Sequence, residues 1–109
     1  MSLDLLIIDS WDGNGEGGPD RMIVGSNNIL ILDTTFSNEP TKNQDYPRPG
    51  APAFSGANEV NSLGYNTDSI YRLSWTFPHG RDSFALGFTK RVSSNEERFG
   101  LDNVVIRLR

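Results

Sequence analysis

The chain has 109 residues, a usual size for one domain, and its 14 acidic and 10 basic side chains give a formal charge of −4. This balance argues against nucleic-acid binding, which requires clustered lysines and arginines. The absence of cysteine excludes disulfides, thiolate zinc sites and thiol nucleophiles. The length predicts one domain over residues 1–109. The N-terminal residues do not resemble a signal peptide and no apolar run is of membrane-spanning length, so we expect no membrane insertion.

The first half of the chain predicts three strands and a long loop. Leu3 to Ser10 is apolar on both alternating faces, which predicts a fully buried strand. Arg21 to Ser26 and Ile29 to Phe36 flank Asn27-Asn28, and asparagine tolerates the positive φ of a tight turn, so these segments predict a β-hairpin. Ser37 to Gly64 is rich in proline, glycine and asparagine, which predicts a long functional loop packed on the body of the domain.

The second half predicts three more strands. Ser69 to Pro78 alternates polar and aromatic residues, as in a half-buried strand with its aromatic face inward. Ser83 to Lys90 is apolar on one face, and Leu101 to Leu108 is rich in β-branched residues. Six strands without a helix predict an all-β fold, a two-sheet antiparallel sandwich of the jelly-roll or galactose-binding-like type.

The segment DSWDGNGEGGPDR, which follows the first predicted strand, combines carboxylates with glycines. Calcium takes about six to eight oxygen ligands, and glycines let backbone carbonyls turn inward. In a jelly roll the first and last strands can be neighbours, which brings this loop close to the acids near the last strand. We therefore predict a calcium ion held by six side chains: Asp9, Asp12, Asn14, Asp20, Glu97 and Asp102.

Two other interpretations of these residues stay open. Asp and Asn favour turns because their side chains hydrogen-bond to the nearby backbone. An unpaired carboxylate that interrupts an apolar strand is costly, and a salt bridge would neutralise it as well as a cation does. The candidate pairs join Asp9 or Asp102 to Arg21 or Arg98.

Large aromatic side chains form the second candidate site, because rings can stack on sugar faces and jelly-roll modules often bind glycans in this way. Core packing is the alternative, and strand alternation predicts that Trp75 belongs to the core. For Trp11 we keep both interpretations, stacking on a ligand and anchoring the first loop to the core. The predicted ligand-binding residues are Trp11, Tyr46, Phe54 and Tyr65.

The residue pattern does not favour catalysis. His79 is the only histidine, which excludes a three-histidine metal site, and it lies in a Pro-His-Gly turn. No G-x-S-x-G motif is present, and a domain of this size offers little depth for a cleft between two carboxylates. We expect a protein that is not an enzyme.

Six blocks follow one another along nearly the whole chain: IDSWDGN, GPDRMIV, LDTTFSN, GANEVNSLGY, DSIYRLSWTFPH and FGLDNVVI. They resemble a recurring β-sandwich module of large bacterial secreted and cell-surface proteins, some of which carry a sorting tail. The resemblance implies a sandwich fold and an extracellular or cell-surface location within a larger protein, and it implies no particular activity. The chain departs from the module at Phe99, where the module has tryptophan, and in the further strand sequence that usually precedes the first block.

Two functions are consistent with these patterns. The first is a non-catalytic, calcium-stabilised binding or adhesion module that recognises a glycan or another surface ligand through its loops. The second is a structural or assembly subunit, such as a filament, surface-layer or virion-decorating protein. In the second case the N-terminal strand, lacking its upstream neighbour, is expected to self-associate by strand addition.

Overall fold

The computed structural model describes residues 1–15, 19–65, 67–77, 85–92 and 96–107, and these residues form seven β-strands and no helix. The strands make two antiparallel sheets, so the predicted all-β, sandwich-like architecture is confirmed. In chain order the strands are β1 Ser2–Ile8, β2 Arg21–Ser26, β3 Ile29–Thr35, β4 Glu59–Val60, β5 Asp68–Ser74, β6 Gly87–Arg91 and β7 Arg98–Val105.

The first sheet has the strand order β4-β5-β1-β7. β1 is antiparallel to both of its neighbours, with Leu5 opposite Tyr71 on one side and Leu101 on the other. The prediction that the first and last strands are neighbours is therefore confirmed. Self-association by strand addition was expected at the N-terminal strand because its upstream neighbour was predicted to be missing. β1 is instead paired on both sides, by β5 and β7, and so has no open edge. Among the described strands, the outer positions of this sheet belong to β4 and β7.

β1 alternates between a core face and an outward face. Leu3, Leu5 and Ile7 are at most 2% exposed, whereas Leu6 and Ile8 are only half-buried. The prediction of a strand buried on both faces is wrong, because the core lies against only one face of this sheet.

The second sheet has the order β3-β2-β6. β2 and β3 form the predicted hairpin, and Asn27 and Asn28 at its turn have φ values of 46° and 70°. Positive φ at both central residues is the requirement of a tight type I′ turn, which asparagine meets at low cost. Met22 and Val24 on the inner face of β2 are fully buried.

The core lies between the inner faces of the two sheets. Each large apolar side chain buried there contributes about 1.5 to 3 kcal/mol relative to exposure. The fully or nearly fully buried members of the core are Leu3, Leu5, Ile7, Trp11, Met22, Val24, Phe36, Tyr71 and Leu73.

The long segment between β3 and β5 packs on the body of the domain, as predicted, and also contains the short strand β4, which the sequence did not predict. Its anchor is Gln44, whose side chain is fully buried. The Gln44 amide accepts a hydrogen bond from the Ser37 backbone nitrogen and donates to the carbonyls of Tyr46 and Ser55. A buried amide with its bonds made in this way fixes the path of an otherwise irregular loop.

The remaining predicted strands are observed with shifted bounds. β5 begins at Asp68, β6 at Gly87 and β7 at Arg98. The pairing of β7 with β1 shifts register between Ser2 and Asp4, where Asn103 adopts a φ of 50°. The parts of the predicted strands at residues 78, 83–84 and 108 lie outside the described residues.

Candidate functional site

The end of the four-stranded sheet brings together residues that are distant in sequence. Ile8, the last residue of β1, is opposite Asp68 on β5 and Arg98 on β7. Asp9 then leaves the strand with a φ of 73°, and its backbone nitrogen donates a hydrogen bond of 2.8 Å to the Thr67 carbonyl. Positive φ is several-fold enriched for aspartate among non-glycine residues. This turn places the Asp9 carboxylate beside the start of β7.

The Asp9 carboxylate holds Arg98. Its Oδ2 lies 2.7 Å from Nε of the arginine, so one of the salt bridges proposed from the sequence is confirmed. The hydrogen bond to Asp9, and then the charge of that carboxylate, raise the pKa of Arg98. The guanidinium, which like that of any arginine is always charged, is oriented by its hydrogen bond to Asp9.

An exposed ring lies next to this cation. The guanidinium carbon of Arg98 is 5.3 Å from the centroid of Tyr65, a cation–π distance, and Tyr65 is 49% exposed. The backbone nitrogens of Leu63 and Tyr65 donate to the two carboxylate oxygens of Asp68, which is fully buried. Asp68 therefore fixes the turn that carries the tyrosine ring.

An open depression of about 480 Å³ lies at this end of the sheet, lined by Asp9, Ser10, Thr67, Glu96 and Arg98. Its lining combines two carboxylates, one guanidinium and two hydroxyls, with the Tyr65 ring in contact with the arginine. Such a surface offers both hydrogen-bond donors and acceptors and one aromatic face. It suits a polar, hydroxyl-rich ligand better than an apolar one.

Three of the predicted calcium ligands lie in a different set of loops. Asp20 is fully buried, and its Oδ2 accepts a hydrogen bond of 2.7 Å from the Asp12 backbone nitrogen. Asn14 donates to Asp45 at 2.8 Å and accepts from the Thr35 hydroxyl at 2.9 Å. The Asp20 bond shows the backbone-organising role that was the alternative interpretation, whereas the Asn14 bonds join side chains of different segments. Oδ1 of Asp12, however, is buried and has no hydrogen-bond partner among the described residues.

The other predicted ligands lie elsewhere. Asp102 is directly opposite Asp4, four positions beyond Arg98 along β7, which is about 13 Å in an extended strand. Glu97 is 3% exposed, and its carbonyl accepts a hydrogen bond from the Lys90 ammonium. Within the described ranges no three acidic or histidine side chains are grouped so as to hold a metal. Calcium binding itself stays a prediction, and the unpartnered oxygen of Asp12 agrees with it.

Two of the predicted ligand-binding aromatics have opposite environments. Tyr65 is exposed and contacts Arg98, which lines the depression, although the ring itself is not one of the lining residues. Trp11 is fully buried, and its indole nitrogen donates a hydrogen bond of 2.8 Å to the Arg98 carbonyl. Its ring is therefore part of the core and not available for stacking, and the interpretation that it anchors the first loop is the correct one.

Tyr46 and Phe54 lie on the long loop. Tyr46 packs against Phe36 and Tyr71 with ring centroids 5.2 and 5.4 Å apart, and burial raises its pKa. Phe54 is half-buried and has a φ of 63°. The Tyr46 ring and the backbone bond from the Phe54 nitrogen to the Ser37 carbonyl hold this loop, and neither residue lines the depression.

Sequence reasoning did not assign Ser10, Thr67 or Glu96 to a site. No local motif marks them, because they meet only through the pairing of β1 with β5 and β7. Arg98 was predicted only as a salt-bridge partner. The single histidine, His79, and the segment predicted to form a turn around it lie outside the described residues.

Comparison of the chain with protein-family models, with curated proteins and with solved structures finds no match. The resemblance to a bacterial surface module therefore stays a prediction. In the part of the chain that is described, no helix is long and apolar enough to cross a membrane.

Proposed function

We propose that this protein is a non-catalytic binding module that takes a glycan at the depression around Arg98. The observation that carries the proposal is the arrangement of three residues: Asp9 fixes the guanidinium of Arg98, which lies over the exposed ring of Tyr65. The depression beside them is open to solvent and lined with polar side chains.

Sugars combine hydroxyls with an apolar face of C–H groups. The hydroxyls can donate to the carboxylates of Asp9 and Glu96 and accept from Arg98, while the C–H face packs on Tyr65. Because Asp9 already holds the arginine, little side-chain entropy is lost when a ligand binds. The guanidinium of Arg98 is already neutralised by Asp9, which favours a neutral sugar over an acidic one.

The proposal extends to the finer fold type and the cellular setting. In a sandwich of the jelly-roll or galactose-binding-like type, loops at one end of the sheets present the ligand site, and here the depression lies at one end of the larger sheet. A module of this kind would act in adhesion at a cell surface or outside the cell. The resemblance of the sequence blocks supports this setting.

A glycan array with the purified chain, followed by calorimetry on any sugar that binds, tests the proposal. We expect Tyr65→Ala to weaken binding about tenfold or more, because it removes the stacking ring, and Tyr65→Phe to retain most of the affinity. Leu30→Ala is the matched control, since Leu30 is 64% exposed on the other sheet. A folded wild-type chain that binds no sugar on the array, or a Tyr65→Ala variant that binds as well as wild type, would refute the proposal.

A further inference from the structure

The outer edge of β7 carries exposed apolar side chains. Leu101, Val104 and Val105 are 38%, 46% and 39% exposed. Of the described strands, only β1 pairs with β7. β7 contains neither proline nor lysine, two residues that commonly protect an edge strand from pairing with another chain.

The first part of β7 is regular and complementary to itself. From Arg98 to Asp102 its register with β1 is continuous, and the irregularity begins only at Asn103. When this segment is paired antiparallel with a second copy, with Gly100 opposite the partner's Gly100, Phe99 is opposite the partner's Leu101. Arg98 is then opposite the partner's Asp102. Because alternate residues share a face, the charged pairs lie on the outward face and the apolar pairs on the core-side face.

The charges on the outward face support a second copy as the occupant of this edge. Asp102 is directly opposite Asp4 on β1, where like charges are destabilising, and of the two carboxylates only that of Asp4 has an ion pair among the described residues, with Arg72 at 3.8 Å. The Asp102 carboxylate accepts a hydrogen bond from the Asn103 backbone, but no ion pair of Asp102 occurs within the described residues. Arg98 uses Nε for Asp9, which leaves its terminal nitrogens for another carboxylate. The partner's Arg98 therefore supplies the cation that Asp102 lacks in one chain.

We infer that two copies of this chain associate by antiparallel pairing of residues Arg98 to Asp102, with the two-fold axis at Gly100. The four-stranded sheets of the two copies then form one continuous sheet. A two-fold interface uses the same surface on both subunits, so each charged and apolar pair occurs twice. A five-residue edge is a small interface, which places the association in the weak, transient class. This inference does not require a glycan at the depression, although both proposals use the guanidinium of Arg98.

Light scattering with size-exclusion chromatography, or sedimentation, over about 10 µM to 1 mM measures the association. We expect a reversible monomer–dimer equilibrium. Asp102→Arg turns both attractive pairs into repulsive ones and should raise the dissociation constant about tenfold or more. Leu30→Arg, on an exposed position of the other sheet, should leave it unchanged.

A disulfide test fixes the register, because the chain has no cysteine of its own. A side chain at Gly100 meets only Leu6 atoms at 3.6 Å, so Gly100→Cys fits within one chain. Directly opposite residues of an antiparallel pair have Cα atoms about 4.5 to 5.5 Å apart, within disulfide range. Mild oxidation should cross-link Gly100→Cys and spare the more exposed Leu30→Cys.

Three outcomes would overturn the inference: a wild-type chain that is monomeric at about 1 mM, a dimer that Asp102→Arg does not weaken, or cross-linking of Leu30→Cys as fast as that of Gly100→Cys. The scattering measurements require no substitution at Gly100. They decide the question on their own where Gly100→Cys does not fold.

Discussion

Nε of Arg98 lies 2.7 Å from Oδ2 of Asp9, and this ion pair connects the residue after the first strand to the first residue of the last strand. The arginine side chain is 54% exposed, and exposed ion pairs contribute little to stability because water and salt screen them. The ion pair instead determines where the arginine side chain lies. It holds a cation over Tyr65 at the edge of an open depression.

Asp9→Asn should therefore affect binding more than folding. Asparagine keeps the size of the side chain but loses the charge that orients Arg98, so affinity for a bound sugar should fall about five- to tenfold. The unfolding temperature should change little, since the pair is largely exposed. Calorimetry and thermal unfolding on the same samples check both parts. A large loss of stability with unchanged affinity would show that the Asp9–Arg98 pair serves folding and not sugar binding.

Removing the buried amide of Gln44 should loosen the long loop. Gln44→Ala leaves the Ser37 nitrogen and the carbonyls of Tyr46 and Ser55 without their partner, at a cost of about 2 to 4 kcal/mol in unfolding free energy. Urea unfolding measures the change, and limited proteolysis should show earlier cleavage in residues 39–57. Asn43→Ala, at an exposed neighbouring position, should stay within about 0.5 kcal/mol of wild type. Equal stability of the two variants would argue against Gln44 as the anchor.

Stability should fall at high pH because of Tyr71. Burial raises the pKa of this phenol above its ordinary value of 10.0. Above about pH 10 the unfolded chain releases the proton while the folded chain keeps it, so rising pH favours unfolding. Tyr71→Phe should reduce this alkaline loss of stability, whereas Tyr65→Phe, which leaves the buried phenols in place, should not. Chemical unfolding at pH 8, 10 and 11 measures the slopes, and identical slopes for all three proteins would contradict the prediction.

Calcium should stabilise the chain if the unpartnered oxygen of Asp12 receives a cation. At calcium concentrations about 100 times the dissociation constant, the gain is about 2.7 kcal/mol, visible as a rise in melting temperature. Asp12→Asn should remove the rise. Asp102→Asn should keep it, because Asp102 lies beside Asp4 on the strand. No rise in the wild-type protein would remove calcium from the account.

The strands were predictable from sequence because their signals are local. Alternation of apolar residues predicted the inward face that Tyr71 and Leu73 occupy, and Asn27-Asn28 predicted the hairpin turn. β4 was missed because two residues are too short to show a period, and they are a strand only through their partners Ser69 and Ile70.

The candidate site was less predictable because it depends on register. The sequence predicted that the chain ends are neighbours, and they are, but it could not tell which residues of β1 and β7 are opposite each other. The observed register puts Arg98 beside Asp9 and moves Asp102 four positions away. Asp9 therefore forms a salt bridge with Arg98, while Asp102 lies opposite Asp4 and Asp20 accepts a hydrogen bond from the Asp12 backbone.

The most direct test of the binding account is nuclear magnetic resonance of the ¹⁵N-labelled chain during titration with a sugar identified on the array. The account predicts that the largest amide shifts occur at Asp9, Ser10, Tyr65, Thr67 and Arg98. Shifts centred instead on the hairpin turn at Asn27-Asn28 or on residues 39–57 would contradict it.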